Sequence, residues 1–160
     1  MPNAPQLRCL VVDDEPRLRR VLLRLLEADG HQCFEAGSGV EALQVLAREP
    51  GITLVLSDIR MPEMDGVTLL REITARFPDV AVVMVTAVAE VDSAVACLQL
   101  GAMDYVGKPF QLEEVRARIA QALDKRRLVT ENRAYHQHLE QLVDQQAVRI
   151  EEIFLEGVQA

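Results

Sequence analysis

The chain has 160 residues, of which 49% are hydrophobic and 26% charged, and its formal net charge is −8. That size suits one globular domain with an appended element, and the acidic balance argues against a dedicated nucleic-acid surface, which would show a basic face. Cys9, Cys33 and Cys97 are odd in number and at no metal-ligand spacing, and the apolar settings of Cys9 and Cys97 favour reduced, buried thiols. The first five residues lack the basic and apolar regions of a signal peptide. The longest apolar run, residues 80–89, is too short to cross a bilayer. The expected location is cytoplasmic, without membrane insertion.

Residues 7–12 read as a first strand, mostly apolar and so covered on both faces. Glu15-Pro16 opens a helix, Pro16 suiting the first helical position where an N–H is unpaired anyway. Val21, Leu22, Leu25 and Leu26 form its apolar stripe and Gly30 stops it. Residues 31–36 are a second, weaker strand. Ser38 caps a helix over 39–48, ended by Pro50-Gly51. A third strand at 53–56 carries Asp58 just beyond its end. Asp65 caps a third helix with Val67, Leu69, Leu70 and Ile73 inward, closed by Phe77-Pro78. A fourth strand, 80–85, terminates on Thr86 and is followed by a helix over 91–100 that Gly101 stops. Residues 104–106 form a short fifth strand before Gly107-Lys108-Pro109-Phe110, and a last helix begins near Leu112.

Strands alternating with helices across short connections imply a parallel sheet with helices on both faces. The expected fold is α/β, a flavodoxin-like, doubly wound five-stranded sheet of order 2-1-3-4-5 with a long C-terminal helix. From Leu112 to about Phe154 there is neither Pro nor Gly, so a helix of roughly 60 Å fits at about 1.5 Å per residue. Leu128, Asn132, Tyr135, Leu139 and Leu142 keep a heptad spacing. The stripe then moves to Val143, Ala147, Ile150 and Phe154, as at a stutter. The expectation is a domain over 5–124 followed by a coiled-coil extension over 125–160 that pairs two copies of the chain.

Each strand end offers a polar group: Asp13 and Asp14, then Asp58, Thr86 and Lys108. In a doubly wound sheet these meet at the carboxyl edge, where ligands bind. Three clustered carboxylates repel unless a cation sits among them, and hard oxygen ligands favour Mg²⁺. A carboxylate beside Mg²⁺ can accept a phosphoryl group, with Lys108 and the Thr86 hydroxyl on the phosphoryl oxygens. Taken singly, Asp13 and Asp14 are ordinary helix caps, Thr86 an ordinary strand end and Lys108 a surface charge. Their joint occurrence at successive strand ends carries the reading.

The set Val12-Asp13-Asp14-Glu15-Pro16, Ser57-Asp58-Ile59-Arg60-Met61-Pro62-Glu63-Met64-Asp65-Gly66, Val85-Thr86-Ala87 and Lys108-Pro109-Phe110 resembles the receiver domain of two-component response regulators. The resemblance implies that Asp58 is the phosphoacceptor, supplied by a sensor histidine kinase or a phosphotransfer protein. It implies Mg²⁺ held by Asp14 and Asp58 directly, by Asp13 through water and by the Arg60 backbone carbonyl. It also implies Thr86 and Tyr105 as switch residues, a cis Lys108-Pro109 bond, and output through the fourth helix, fifth strand and fifth helix. Arg60 and Val88 occupy the two positions that tune phosphoryl lifetime. Neither supplies a carboxylate or amide to orient water, so a lifetime of minutes or longer is expected.

Other phosphate chemistries fit poorly. A dehalogenase-type phosphatase wants a second Asp where Arg60 stands. No P-loop motif precedes Lys108, and Asp13-Asp14-Glu15 would repel a dinucleotide pyrophosphate. His136 and His138 lie two apart on a helix and face apart. Residues 125–160 carry a net charge of −1, a mixed amphipathic helix with no direct nucleic-acid role. Two outputs are expected alternatives. In one, the helix leads to an enzyme such as an HD-GYP-type cyclic-dinucleotide phosphodiesterase whose metal ligands are absent here. In the other, it is a dimerisation or docking module in itself. In both, the only chemistry of the receiver is its own phosphoryl transfer and loss. A reading frame continuing past Ala160 would favour the first.

Overall fold

A computed structural model of the chain describes residues 6–159, and for Val88 and residues 147–159 the backbone alone. The elements are β1 (Arg8–Val12), α1 (Pro16–Ala28), β2 (Gln32–Ala36), α2 (Gly39–Arg48), β3 (Leu54–Asp58), α3 (Gly66–Arg76), β4 (Ala81–Ala87), a 3₁₀ turn (Val88–Glu90), α4 (Val91–Leu100), β5 (Asp104–Lys108) and α5 (Leu112–Gln159). All strand pairs are parallel, in the order β2-β1-β3-β4-β5. This is the flavodoxin-like doubly wound sheet expected from the alternation.

Alternate residues of the inner strands feed two cores, as a period of two requires. Leu10, Val12, Val55, Val82 and Met84 pack with α2, α3 and α4. Val11, Leu54, Leu56, Val83, Val85 and Val106 pack with Leu22 and Leu26 of α1 and Val115 and Ile119 of α5. The expected caps form: Ser38 Oγ accepts from the Glu41 amide at 3.1 Å and Asp65 Oδ1 from the Thr68 amide at 2.8 Å. Gly101, at φ 117°, closes α4 in the left-handed conformation that glycine adopts without strain.

Three strands run further than their hydropathy predicts. β3 includes Asp58, opposite Val85; β4 extends to Ala87; β5 extends through Gly107 and Lys108, opposite Thr86 and Ala87. Ladder hydrogen bonds use backbone groups and continue where the side chains turn polar. Cys9 and Cys97 are fully buried, whereas Cys33, on edge strand β2, is only partly covered.

By its internal contacts the chain falls into two compact units, residues 1–126 and 127–160. Within the second, Leu128, Tyr135, Leu139, Leu142 and Val143 are exposed along the helix. Ala147, Ile150 and Phe154 lie outside the described side chains, as does the side chain of Val88. No helix among the described residues is long and apolar enough to cross a membrane.

Candidate functional site

The carboxyl ends of β1, β3 and β5 bring four charged groups together. Ligand oxygens of Asp13, Asp14 and Asp58 lie within 4.8 Å of one another. Lys108 Nζ is 3.2 Å from Asp58 Oδ2 and 3.6 Å from Asp13 Oδ2. Sheet register explains the convergence. Val12 pairs with Ser57, so Asp13 follows β1 beside Asp58, and Lys108 closes β5 on the far side of β4. The Lys108-Pro109 peptide is cis.

Asp13 and Asp58 each commit one oxygen to the backbone. Asp13 Oδ1 accepts from the Glu15 amide and Asp58 Oδ1 from the Ile59 amide, both at 2.8 Å. The Ser57 hydroxyl donates to the Asp58 carbonyl at 2.9 Å, and Arg19 donates to the Asp13 carbonyl at 2.7 Å. Asp13 is 1% exposed, yet its Oδ2 has no hydrogen-bond partner. Burial raises the Asp13 pKa above the ordinary carboxylate value, and the charges of Asp58 and Asp14 push the same way. The Glu15 amide and the Lys108 ammonium oppose them without reversing the shift. A desolvated carboxylate oxygen with no hydrogen bond, facing only the Lys108 ammonium at 3.6 Å among two further carboxylates, fits a small hard cation.

The groups stand over a cleft of about 560 Å³. Its charged lining is Asp14, Glu15, Asp58, Arg60, Glu90 and Lys108. Thr86 and Tyr105 lie beside this nest rather than in it. Thr86 is fully buried and its hydroxyl donates to the Ala87 carbonyl at 3.1 Å. Tyr105 is opposite Met84, two residues before Thr86, and its ring packs on the core shared with α2, α3 and α4. The two therefore occupy one face of the sheet.

Two features escaped the sequence. Glu90 reaches the cleft and pairs with Arg60, a contact set by the 3₁₀ turn after β4. Gly66 was legible only as a turn residue. A Cβ there would sit 2.1 Å from the Asp58 carbonyl oxygen, so the start of α3 rests directly on the end of β3. Glu63, between them, adopts a left-handed φ of 67°, an uncommon state for a residue with a Cβ.

The model of the response regulator receiver domain matches residues 9–120. The regulatory protein AtoC of Escherichia coli is 41% identical over 133 residues, covering 82% of this chain and 28% of AtoC. The DNA-binding transcriptional regulator NtrC of the same organism is 43% identical over 113 residues, covering 71% of this chain and 24% of NtrC. This chain thus spans about a quarter of the length of those relatives. A solved receiver domain protein from Clostridium thermocellum superposes with a TM-score of 0.72 at 31% identity, over 77% of this chain and 98% of its own.

Proposed function

The chain belongs to the response regulator receiver family, and from that premise we propose that it is a phosphorylation-dependent switch whose phosphoacceptor is Asp58. The observation that carries this reading is the contact of Lys108 Nζ with Asp58 Oδ2 at 3.2 Å inside a nest of three carboxylates. Asp58 Oδ2 forms the new O–P bond as the P–N bond to a phosphohistidine of a sensor kinase or phosphotransfer protein breaks. Lys108, already between Asp13 and Asp58, moves onto the phosphoryl oxygens as a point charge.

Asp13, Asp14, Asp58 and the Arg60 carbonyl are the groups that would hold Mg²⁺. Bound there, the ion neutralises the carboxylates and polarises the phosphoryl oxygens. Thr86 and Tyr105 share a face of β4 and β5, which suits a coupled pair. The Thr86 hydroxyl exchanges the Ala87 carbonyl for a phosphoryl oxygen, and the Tyr105 ring follows into the space it leaves. The affected surface is that of α4, β5 and α5.

The helix beyond Arg127 pairs with a second copy of the chain. Leu128, Tyr135, Leu139 and Leu142 form its exposed apolar seam, and Asn132 within it sets register. Output lies with a partner or with further domains; NtrC, of which this chain spans about a quarter, carries a DNA-binding name. The work is that of a cytoplasmic signalling protein.

The test is incubation with acetyl phosphate with and without Mg²⁺, read by intact mass. The reading requires the mass gain of one phosphoryl group, dependent on Mg²⁺ and lost in Asp58→Asn. Equal labelling of Asp58→Asn would overturn it.

A further inference from the structure

The Arg60–Glu90 ion pair spans the cleft, joining the β3–α3 loop to the turn before α4. The two ends are unlike. The Arg60 side chain is 83% exposed and tethered only two residues from Asp58, whereas the Glu90 side chain is 16% exposed. Glu90 also accepts from Ser93 Oγ at 3.3 Å and stands at the N-terminus of α4, where a carboxylate is favoured by the unpaired amides. Glu90 is the fixed member and Arg60 the mobile one.

Four carboxylates and two cations line the cleft, and Lys108 is already engaged by Asp13 and Asp58. Arg60 is therefore the one cation of that lining not committed to the nest, and its partner Glu90 keeps it occupied. An exposed ion pair is weak, whereas a guanidinium binds phosphate oxygens by paired, charge-assisted hydrogen bonds. A phosphoryl group on Asp58 outbids Glu90.

We propose that Arg60 is a phosphate-reading arm and Glu90 its resting partner: when a phosphoryl group arrives at Asp58, Arg60 exchanges Glu90 for the phosphoryl oxygens and the first turn of α4 is released. Arg60 then touches the transferred group; Glu90 is a positioning residue acting through it. The inference rests on Asp58 as phosphoacceptor.

The experiment measures initial phosphorylation rates against acetyl phosphate concentration, at saturating Mg²⁺, for the wild type, Glu90→Gln, Arg60→Met and the double variant. Glu90→Gln should lower KM for acetyl phosphate about threefold, the middle of what loss of an exposed pair allows, with kcat little changed. Arg60→Met should raise KM, and in that background Glu90→Gln should have no effect. Backbone amide signals of residues 91–94 should shift alike in phosphorylated wild type and in unphosphorylated Arg60→Met, which leaves α4 itself intact. An equal KM gain from Glu90→Gln in both backgrounds would mean simple relief of negative charge and overturn the exchange, as would amide signals indifferent to Arg60. A wild type that takes no phosphoryl group overturns the parent reading as well; a phosphorylated wild type with uncoupled variants overturns only this one.

Discussion

Gly66→Ala sets two effects of known sign against each other. Gly66 is the first residue of α3 and has no left-handed backbone requirement, so alanine should gain about 0.5–1 kcal/mol from helix propensity alone. Against that, the new Cβ would lie 2.1 Å from the Asp58 carbonyl oxygen, 2.7 Å from Ile59 Cα and 3.0 Å from the Asp58 carbonyl carbon. All three are backbone atoms of β3 or its exit and cannot rotate away. Reaching an ordinary 3.4 Å contact from 2.1 Å needs the start of α3 to open by about 1.3 Å. That strains the Gly66 N–H bond to the Ile59 carbonyl, now 2.6 Å. Overpacking of this kind costs about 1–3 kcal/mol, so with the propensity gain of about 0.5–1 kcal/mol set against it the variant should be less stable by about 0.5–2 kcal/mol. Displacing Asp58 by a comparable distance should also slow phosphoryl transfer, by about a hundredfold if the shift reaches 1 Å. Urea unfolding followed by far-UV circular dichroism, alongside acetyl phosphate labelling, reads both effects. Gly107→Ala is the control: a Cβ there meets nothing within 4 Å, and stability should stay within about 0.5 kcal/mol. A Gly66→Ala protein as stable as the wild type would refute the close-approach argument.

Asp13→Asn should be more stable than the wild type without Mg²⁺, and the gap should widen with pH. A carboxyl whose folded pKa is raised loses stability as pH climbs from its ordinary value of 3.8 through the raised one. A gap that is flat or narrows with pH in paired unfolding curves would contradict the raised Asp13 pKa. Mg²⁺ at a hundredfold excess over its Kd should stabilise the wild type by about 2.7 kcal/mol and Asp13→Asn by much less, measured in the same titration. Leu139→Asp places a charge in the exposed seam of α5 and should turn a dimer into a monomer by sedimentation; a wild type already monomeric at micromolar concentration would remove the pairing. Burial pushes the Cys9 and Cys33 thiols up to about 12 and about 11, so neither is a thiolate at pH 8. Iodoacetamide should label the folded protein slowly there and faster only as pH approaches those values, and labelling at the rate of a free thiol would refute their burial.

Sheet order and site were legible because a parallel sheet broadcasts itself in apolar runs that end abruptly in polar residues. Asp13, Asp58 and Lys108 each followed such a run and do meet. The strand ends were less legible. Gly107 and Lys108 look like loop by hydropathy, yet backbone pairing with Thr86 and Ala87 carries β5 through them. Cys33 lies on β2, an edge strand, so its partial exposure follows from topology, which sequence neighbours do not report. Glu90 gave no signal, since its contact with Arg60 depends on a 3₁₀ turn placed by β4. Gly66 signalled a turn, and only the packing of α3 onto β3 reveals that a methyl group has no room.

On the proposed reading, the division between rigid and movable groups is what would let the site signal. Asp58 belongs to β3, hydrogen-bonded between β1 and β4, and its carboxylate is pinned by the Ile59 amide. Asp13 is held in turn by the Glu15 amide and buried with its other oxygen lacking a hydrogen bond. Neither carboxylate can relieve the repulsion by moving, because a central strand shifts only at the expense of both its ladders. Any change of charge at Asp58 must therefore be absorbed by groups outside the ladders or by side chains at their ends. These are the Lys108 ammonium, the Thr86 hydroxyl, whose donation to Ala87 spans a single residue, and the Arg60 arm on its loop. Two of the three, Thr86 and Arg60 through Glu90, lead to the segment between β4 and α4. On the proposed reading, a fixed nest with movable counter-charges would convert one covalent event into displacement on one side of the sheet, which is the physical requirement for a switch with two states rather than a gradual deformation.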